Sequence, residues 1–441
     1  MMQANCKIIK DVSNEKSSNF GGYEGKLPIH CNMRHNNISK EFLKTTRYDK
    51  SLFKYWILIF FILLNSFIPI KSQLSPDASI SILTCAPGDE LYSLFGHTAI
   101  RVKDPATETD YVFNYGTFNF NTPNFYLKFM RGQLNYMLSV TSYQHFLYEY
   151  QFSGRSVWEQ TLDLTQNEKQ QLFRALIINA EPENRYYQYH FFFDNCATRV
   201  RDMAIEFIPQ GVNFEIPDYL ENMTFRDAIA YYLQHRPWTK LGLDILLGQP
   251  TDDLVDKSSI QFLPDYLMWQ FETATRNDNN QPVALEIQTV LEFQQDAQYP
   301  FLSPMLVLWT ISLIIIAVTA WEYKRKIFLK WVNVVIFGFT SILGLLICFL
   351  WFFTEHSVTG PNWHLLWANP LHLFVIRAAW YNNRFNRYIN LLVLVALVVL
   401  LTGFSFIPQY IPASLVPVWL VLIIRLLMVA RVKPGPLKKN D

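Results

Sequence analysis

Charge is scarce in this chain. Of its 441 residues only 17% are Asp, Glu, Lys or Arg, below the usual ~25% of soluble domains, while 50% are hydrophobic. The formal net charge is +1, so no basic field is present to hold nucleic acid, and none is expected as a partner. No internal repeat is visible. Cysteine is also sparse, at five residues, and no Cys/His cluster has the spacing of a zinc site.

The deficit of charge is uneven. Residues 74–300 read as a globular domain, whereas 301–432 are mostly apolar. Apolar segments run over 304–321, 331–353, 361–376, 388–407 and 413–430, each near the ~17–25 residues that a helix needs to cross a bilayer. The third contains Asn369, Pro370 and His372, and either spans or re-enters. Lys324, Arg325, Lys326 and Lys330 follow the first segment, Arg377, Arg384 and Arg387 the third, and Arg431, Lys433, Lys438 and Lys439 the fifth. The loops "TEHSVTG" and "PQYIPA" carry neither Lys nor Arg. Every second loop is therefore cytoplasmic by the positive-inside rule, with a membrane domain of about five helices and a basic cytoplasmic tail over 433–441.

The N-terminal end agrees. Residues 1–50 are polar and without period, which predicts a disordered leader or a start set too far upstream, with Met33 as an alternative. "SLFKYWILIFFILLNSFIPIKSQ", residues 51–73, follows a basic stretch and reads as a signal peptide or N-terminal anchor. Both ends thus place 74–300 outside the cytoplasm.

Inside that domain "ASISILTC", "GHTAIRV" and "DYVFNYGTF" predict strands. Thr98, Ile100 and Val102 face one way, and His97, Ala99 and Arg101 the other. Residues 119–155 have mixed helix and loop character. Thr165 and Glu168 form a capping box for a helix in "TQNEKQQLFRALIINA". "TFRDAIAYYLQHRPW" predicts another helix, so the domain is mixed α+β.

The stretch "FFFDNCATRVRD", residues 191–202, draws the chemistry together. Asp194 or Asn195 caps a helix starting at Cys196, with Ala197, Val200, Met203 and Ala204 on one inward face. A helix N-terminus favours a thiolate, and a nucleophilic cysteine needs an imidazole beside it. His97, between small Gly96 and Ala99, is the best-suited histidine. Two blander readings stand beside this one: Cys196 is an inert core residue, or it is half of a disulfide. Cys85 is then its only partner, since Cys6 and Cys31 precede the leader's apolar run and Cys348 lies in a membrane segment.

"CAPGDELYSLFGHTAIRV", "VFNYGTFNF", "NFYLKFMRGQLNYML", "FFFDNCATRVRD" and "FLPDYL", followed by "WFFTEH" and "NWHLLWANP", resemble the Lnb family of lipoprotein N-acyltransferases over about residues 78–430. The resemblance implies an α+β, permuted papain-like (NlpC/P60-like) domain in the periplasm, followed by an all-α polytopic domain in a bacterial inner membrane. It implies Cys196 as nucleophile and His97 as general base and acid, with a phospholipid as acyl donor, a diacylated apolipoprotein as acceptor, and no metal or cofactor. In this layout Asn114 is the candidate that orients His97, with a plain strand-end turn residue as the alternative. Arg199, Arg201, Lys128 and Arg131 are candidates for phosphate headgroups, with Arg201 pairing Asp202 or Asp227 as the alternative. Glu355, His356 and Asn369 are polar groups at the extracytoplasmic membrane edge, fit for a headgroup or for holding helices together. Two rival functions remain: a membrane-tethered cysteine peptidase or amidase of the cell wall, and a non-catalytic membrane assembly factor.

Overall fold

In the computed structural model, residues 73–215, 220–294, 302–381 and 383–431 are described. They belong to one compact unit, Ser72–Asp441. The leader expected over 1–50, the anchor over 51–73 apart from its last residue, and the tail over 433–441 lie outside the described residues.

The first domain is organised by one seven-stranded sheet. Its strands are β1 (Ser79–Cys85), β2 (His97–Asp104), β3 (Thr109–Thr117), β4 (Asn135–Ser142), β5 (Val157–Thr161) and β6 (Tyr186–Gln188). After a separate short pair, β7 (Val212–Asn213) and β8 (Thr275–Arg276), comes β9 (Gln288–Leu291). The order is β6-β4-β3-β2-β1-β5-β9, and neighbours pair antiparallel. The helices are α1 (Phe125–Met130), α2 (Tyr143–Phe152), α3 (Gln166–Ala180), α4 (Cys196–Ile205), α5 (Phe225–Tyr232), α6 (Pro237–Leu246) and α7 (Pro264–Thr273).

The alternation along β2 divides two cores. Ile100 and Val102 join Ile80, Ile82 and Phe113 under α3, α4 and α7. Ala99 joins Leu83, Cys85 and Val112 under Phe146 and Tyr150 of α2. Both faces are covered, so the central strands are apolar on both sides, and each fully buried aliphatic or Phe side chain is worth about 1.5–3 kcal/mol. The α3 capping box forms as its spacing predicts, between Thr165 and Glu168, and Glu168 also pairs with buried Arg276 at 2.7 Å. The expectation of mixed helix and loop over 119–155 missed β4. "NYMLSVTS" is a strand because it pairs with β3 and β6, a partnership that local pattern does not display.

The second domain contains α8 (Pro304–Arg325), α9 (Lys330–Phe353), α10 (His372–Ala378), α11 (Arg384–Gly403) and α12 (Val416–Ala430). Four of its stretches are long and apolar enough to cross a membrane: Pro304–Arg325, Lys330–Phe353, Arg384–Phe406 and Ala413–Ala430. The third segment expected at 361–376 is instead broken into a turn of 3₁₀ helix, Trp363–Leu366, and the short α10. Pro370 supplies no N–H and disfavours helix at Asn369. The Asn369 side chain fills the break, donating to Leu365 O at 3.0 Å and accepting from Leu371 N at 2.9 Å. Against the break, α9 presents Gly344, where an added Cβ would sit 2.3 Å from Ala368 O. Ser341 donates to Pro370 O at 3.1 Å, and Thr340 Oγ1 lies 2.6 Å from His372 Nδ1.

This broken segment carries the chain from one end of the bundle to the other. At its start Trp363 N donates to Gln409, which follows α11. At its finish the Trp380 ring lies under Lys330 at the start of α9. Arg431 covers Tyr323 at that same far end, so the basic loops recognised in the sequence gather there. The first domain docks on the opposite end. Gly248 N bonds Val358 O, Gln249 N bonds Pro361 O, and Asn362 Nδ2 bonds Ile245 O, all at 2.8–2.9 Å.

Inside the bundle, Arg425 of α12 is fully buried and bonds Glu322 Oε1 at 2.8 Å, Thr319 at 3.1 Å and Asn333 at 3.0 Å. Removing one partner of a buried pair strands the other charge, at a cost of about 3–5 kcal/mol. Arg425→Leu alone should lower the thermal unfolding midpoint in detergent sharply. The Glu322→Leu/Arg425→Leu double variant should recover much of that loss.

Candidate active site

Cys196 is the first residue of α4, and Asn195 is its cap. Asn195 Oδ1 accepts from Thr198 N at 2.9 Å, and Thr198 Oγ1 accepts in return from Asn195 N at 2.8 Å. The same Asn195 amide donates to Phe191 O and Phe262 O, both at 2.7 Å, which pins the helix start to the 3₁₀ turn ahead of α7. Cys196 is 7% exposed.

His97 opens β2. By alternation it belongs with Ala99, on the face away from Ile100, whereas Cys196 packs with Ile100. The two meet at the end of the sheet, where regular alternation has run out. Gly96 enters β2 at φ +80°, and β3 changes register between Asn114 and Thr117 around Gly116 at φ +86°. The His97 ring hydrogen-bonds the Cys196 sulfur, and its Nε2 lies 2.5 Å from Asn114 Oδ1. That engages Nε2 and leaves Nδ1 for the sulfur. The backbone N–H groups of Thr98 and Ala197 also donate to the sulfur.

The electrostatics follow from this geometry. Burial raises the Cys196 pKa, but the imidazolium of His97, its hydrogen bond and the two backbone donors outweigh burial, and the thiol is lowered. For His97 burial acts downward, and the Cys196 thiolate with the bonds to sulfur and Asn114 raises the net value. Cys85 is a control within the same domain: burial pushes its thiol up to about 12. Cys85 and Cys196 are both free thiols, so the disulfide alternative is not realised.

Sequence reasoning missed two neighbours of Cys196. The Tyr189 hydroxyl hydrogen-bonds it, and the Tyr189 ring stacks on Tyr136 with centroids 4.4 Å apart. A Cβ at Gly116 would lie in ordinary contact, 3.5 Å from Cys196 Cβ and from the Tyr189 ring, so it is the positive φ that favours glycine there. The tyrosine-rich run "YYQYH" and the glycine of "VFNYG" carried this signal, but their proximity to Cys196 comes from the β4–β6 pairing.

The other expected site residues are placed elsewhere or otherwise engaged. Arg199 forms a two-pronged bond with Asp194 at 2.6 and 2.7 Å and stacks over Tyr187. Arg201 pairs with Asp202, not Asp227, and bonds Ser258 O at 2.9 Å. Neither guanidinium offers a free fork for a phosphate. Asn369 fills the helix break described above. Glu355 accepts from Gln133 at 2.8 Å and Gln188 at 2.7 Å, and His356 Nε2 lies 3.2 Å from Met130 O. These two residues therefore tie the domains together. Arg131 remains exposed and Lys128 half-buried. Phe191 and Phe192 pack with Phe225, Phe262 and Leu263 as core, while Phe193 is exposed.

Comparison with family models decides the affiliation. Residues 69–228 match the Lnb N-terminal periplasmic domain, and residues 295–434 match the Lnb transmembrane domain. The chain belongs to the Lnb family. Cys196, His97 and Asn114 all lie in the part matched to the Lnb periplasmic domain, and the α-helical part with its four apolar stretches is the Lnb membrane domain. The comparison with curated proteins found no match, and neither did that with solved structures.

Two pH profiles should follow. Alkylation of Cys196 by iodoacetamide should persist below the ordinary thiol range, because its thiolate form is favoured, whereas Cys85 should stay protonated and unreactive near neutrality. His97→Ala removes the strongest lowering influence and leaves burial, so the Cys196 profile should move to higher pH. Rate measurements with peptide mapping check both.

Proposed function

We propose that this Lnb-family protein is a lipoprotein N-acyltransferase of the bacterial inner membrane. The observation that carries the reading is the Cys196–His97–Asn114 array at a helix N-terminus, in a domain docked on the extracytoplasmic end of an apolar helix bundle. The membrane domain crosses the bilayer five times in this reading, four times as continuous helices and once through the broken segment before α11. The gathering of basic residues at the bundle end away from the first domain supports that orientation.

The reaction has two steps. The Cys196 thiolate attacks the carbonyl carbon of a phospholipid ester, and the carbon–oxygen bond to the glycerol breaks. The departing lyso-phospholipid alkoxide takes the proton from the His97 imidazolium, leaving an acyl-Cys196 thioester and a neutral His97. The α-amino group of a diacylglyceryl-cysteine lipoprotein then attacks the thioester carbon. His97 accepts the ammonium proton, the amide forms, and Cys196 leaves as thiolate, restoring the starting pair. Asn114 keeps the imidazole turned towards the sulfur in both steps. The Cys196 N–H at the first position of α4 has no acceptor within its helix and is the donor for the oxyanion. Both substrates are held in the extracytoplasmic leaflet, which a domain fixed to the bundle end can reach. A soluble cell-wall peptide would need no such docking.

The test is expression of wild type and Cys196→Ala in cells depleted of their own lipoprotein N-acyltransferase, with lipoprotein N-termini read by mass spectrometry. Wild type should add an N-acyl chain and Cys196→Ala should add none. His97→Ala should slow acyl-enzyme formation by about 10²–10⁴-fold. A wild-type protein that adds no chain refutes the reading, and N-acylation by Cys196→Ala refutes the nucleophile.

A further inference from the structure

The connection between β3 and β4 leaves a cluster of apolar side chains uncovered. Phe120 is 65% exposed, Tyr126 77%, Leu127 48%, Phe129 40% and Met130 49%, and Tyr92 from a neighbouring turn, 67% exposed, stacks edge-on against Phe118. An apolar cluster of this kind on a folded domain marks a surface meant for an apolar partner.

Its position identifies the partner. Met130 O is the acceptor facing His356 Nε2, and Arg131 O accepts from Glu355 N at 2.9 Å. Glu355 and His356 immediately follow α9, one of the helices apolar enough to span a membrane. Helix α1 is therefore held at the level where α9 leaves the hydrocarbon. Gly132, at φ +69°, makes the left-handed turn beside Glu355 and His356, a conformation that favours glycine. Exposed Arg131 and half-buried Lys128 beside the apolar side chains suit lipid phosphates. An apolar face flanked by cations at the edge of a spanning bundle is the pattern of an interfacial helix.

The surface also leads to the sulfur. Tyr189, bonded to Cys196, stacks on Tyr136; Tyr136 meets Phe118 at 5.3 Å; Phe118 meets Phe120 at 5.0 Å and Phe125 at 5.7 Å. Aromatic rings thus run unbroken from the thiol to α1.

We infer that α1 and the flanking segment 118–131 lie in the extracytoplasmic leaflet of the bilayer, and that the Phe118–Tyr136–Tyr189 row guides one lipid acyl chain to Cys196. The contact with lipid rests on the membrane placement alone. The guiding role rests on the proposed acyl transfer.

Two measurements on the full chain in vesicles of phosphatidylethanolamine and phosphatidylglycerol test this. In the first, benzoylphenylalanine replaces Tyr126 or Phe129, or Tyr111 at the opposite end of β3 as control, also in the Cys196→Ala background where no transfer occurs. Lipid photo-adducts should exceed the control by about tenfold. Adducts no more frequent than at Tyr111 overturn the membrane contact. In the second, Phe118→Ala, at the outer end of the row, should slow acyl-Cys196 formation from vesicle lipid by about tenfold while iodoacetamide alkylation of Cys196 keeps its wild-type rate, showing an intact site. Unchanged acyl-enzyme formation overturns the guiding role. Lipid adducts without any acyl transfer by the wild type uphold the surface and refute the reaction.

Discussion

A thiolate inside a protein is held only if its surroundings replace the water it has lost. Removing an ion from water costs several kcal/mol even after relaxation. At Cys196 that cost is offset by the His97 imidazolium, two backbone N–H donors and the positive end of α4. The chemistry of the domain depends on this contact, and the contact depends on two placements. The Asn195 cap fixes where α4 begins. The glycines at 96 and 116 let the ends of β2 and β3 depart from regular alternation, so that a histidine from one face reaches a cysteine packed against the other.

The same array explains why two buried cysteines in one domain differ. Cys85 pairs directly across from His97 in the β1–β2 register, yet its neighbours are the apolar side chains under α2 and the Tyr150 hydroxyl. Burial there outweighs the lowering by the Tyr150 hydrogen bond and the Arg155 charge, and keeps the proton on sulfur. Burial is common to both cysteines; compensation is sufficient at only one.

Docking of the two domains gives the polar residues after α9 a role different from the one their chemistry suggested. Glu355 reaches Gln133 on one side and Gln188 on the other, and Gln188 is the neighbour of Tyr189 at the sulfur. A headgroup ligand and an interdomain clamp need the same residue types at the same depth, so composition cannot separate them. The clamp sets the height of the Cys196 site relative to the bundle end.

Much of this was legible in order and spacing. The cap at Asn195, the box at Thr165 and Glu168, the faces of β2 and four of the five apolar segments are local patterns, set by periods of two or 3.6 residues and by the orphan groups at helix ends. The sequence by itself therefore determined the two-domain plan, the distribution of charge along the membrane part and the pairing of a helix-start cysteine with a strand histidine as candidates. Tertiary structure decided what depends on neighbours distant in the chain. It made a strand of 135–142, broke the third apolar segment against Gly344, turned Arg199 to Asp194 and Tyr187, and brought Tyr189 and Gly116 to the sulfur. Each of these depends on a contact between residues whose separation in sequence carries no period, and such contacts exist only once the sheet and the bundle have formed.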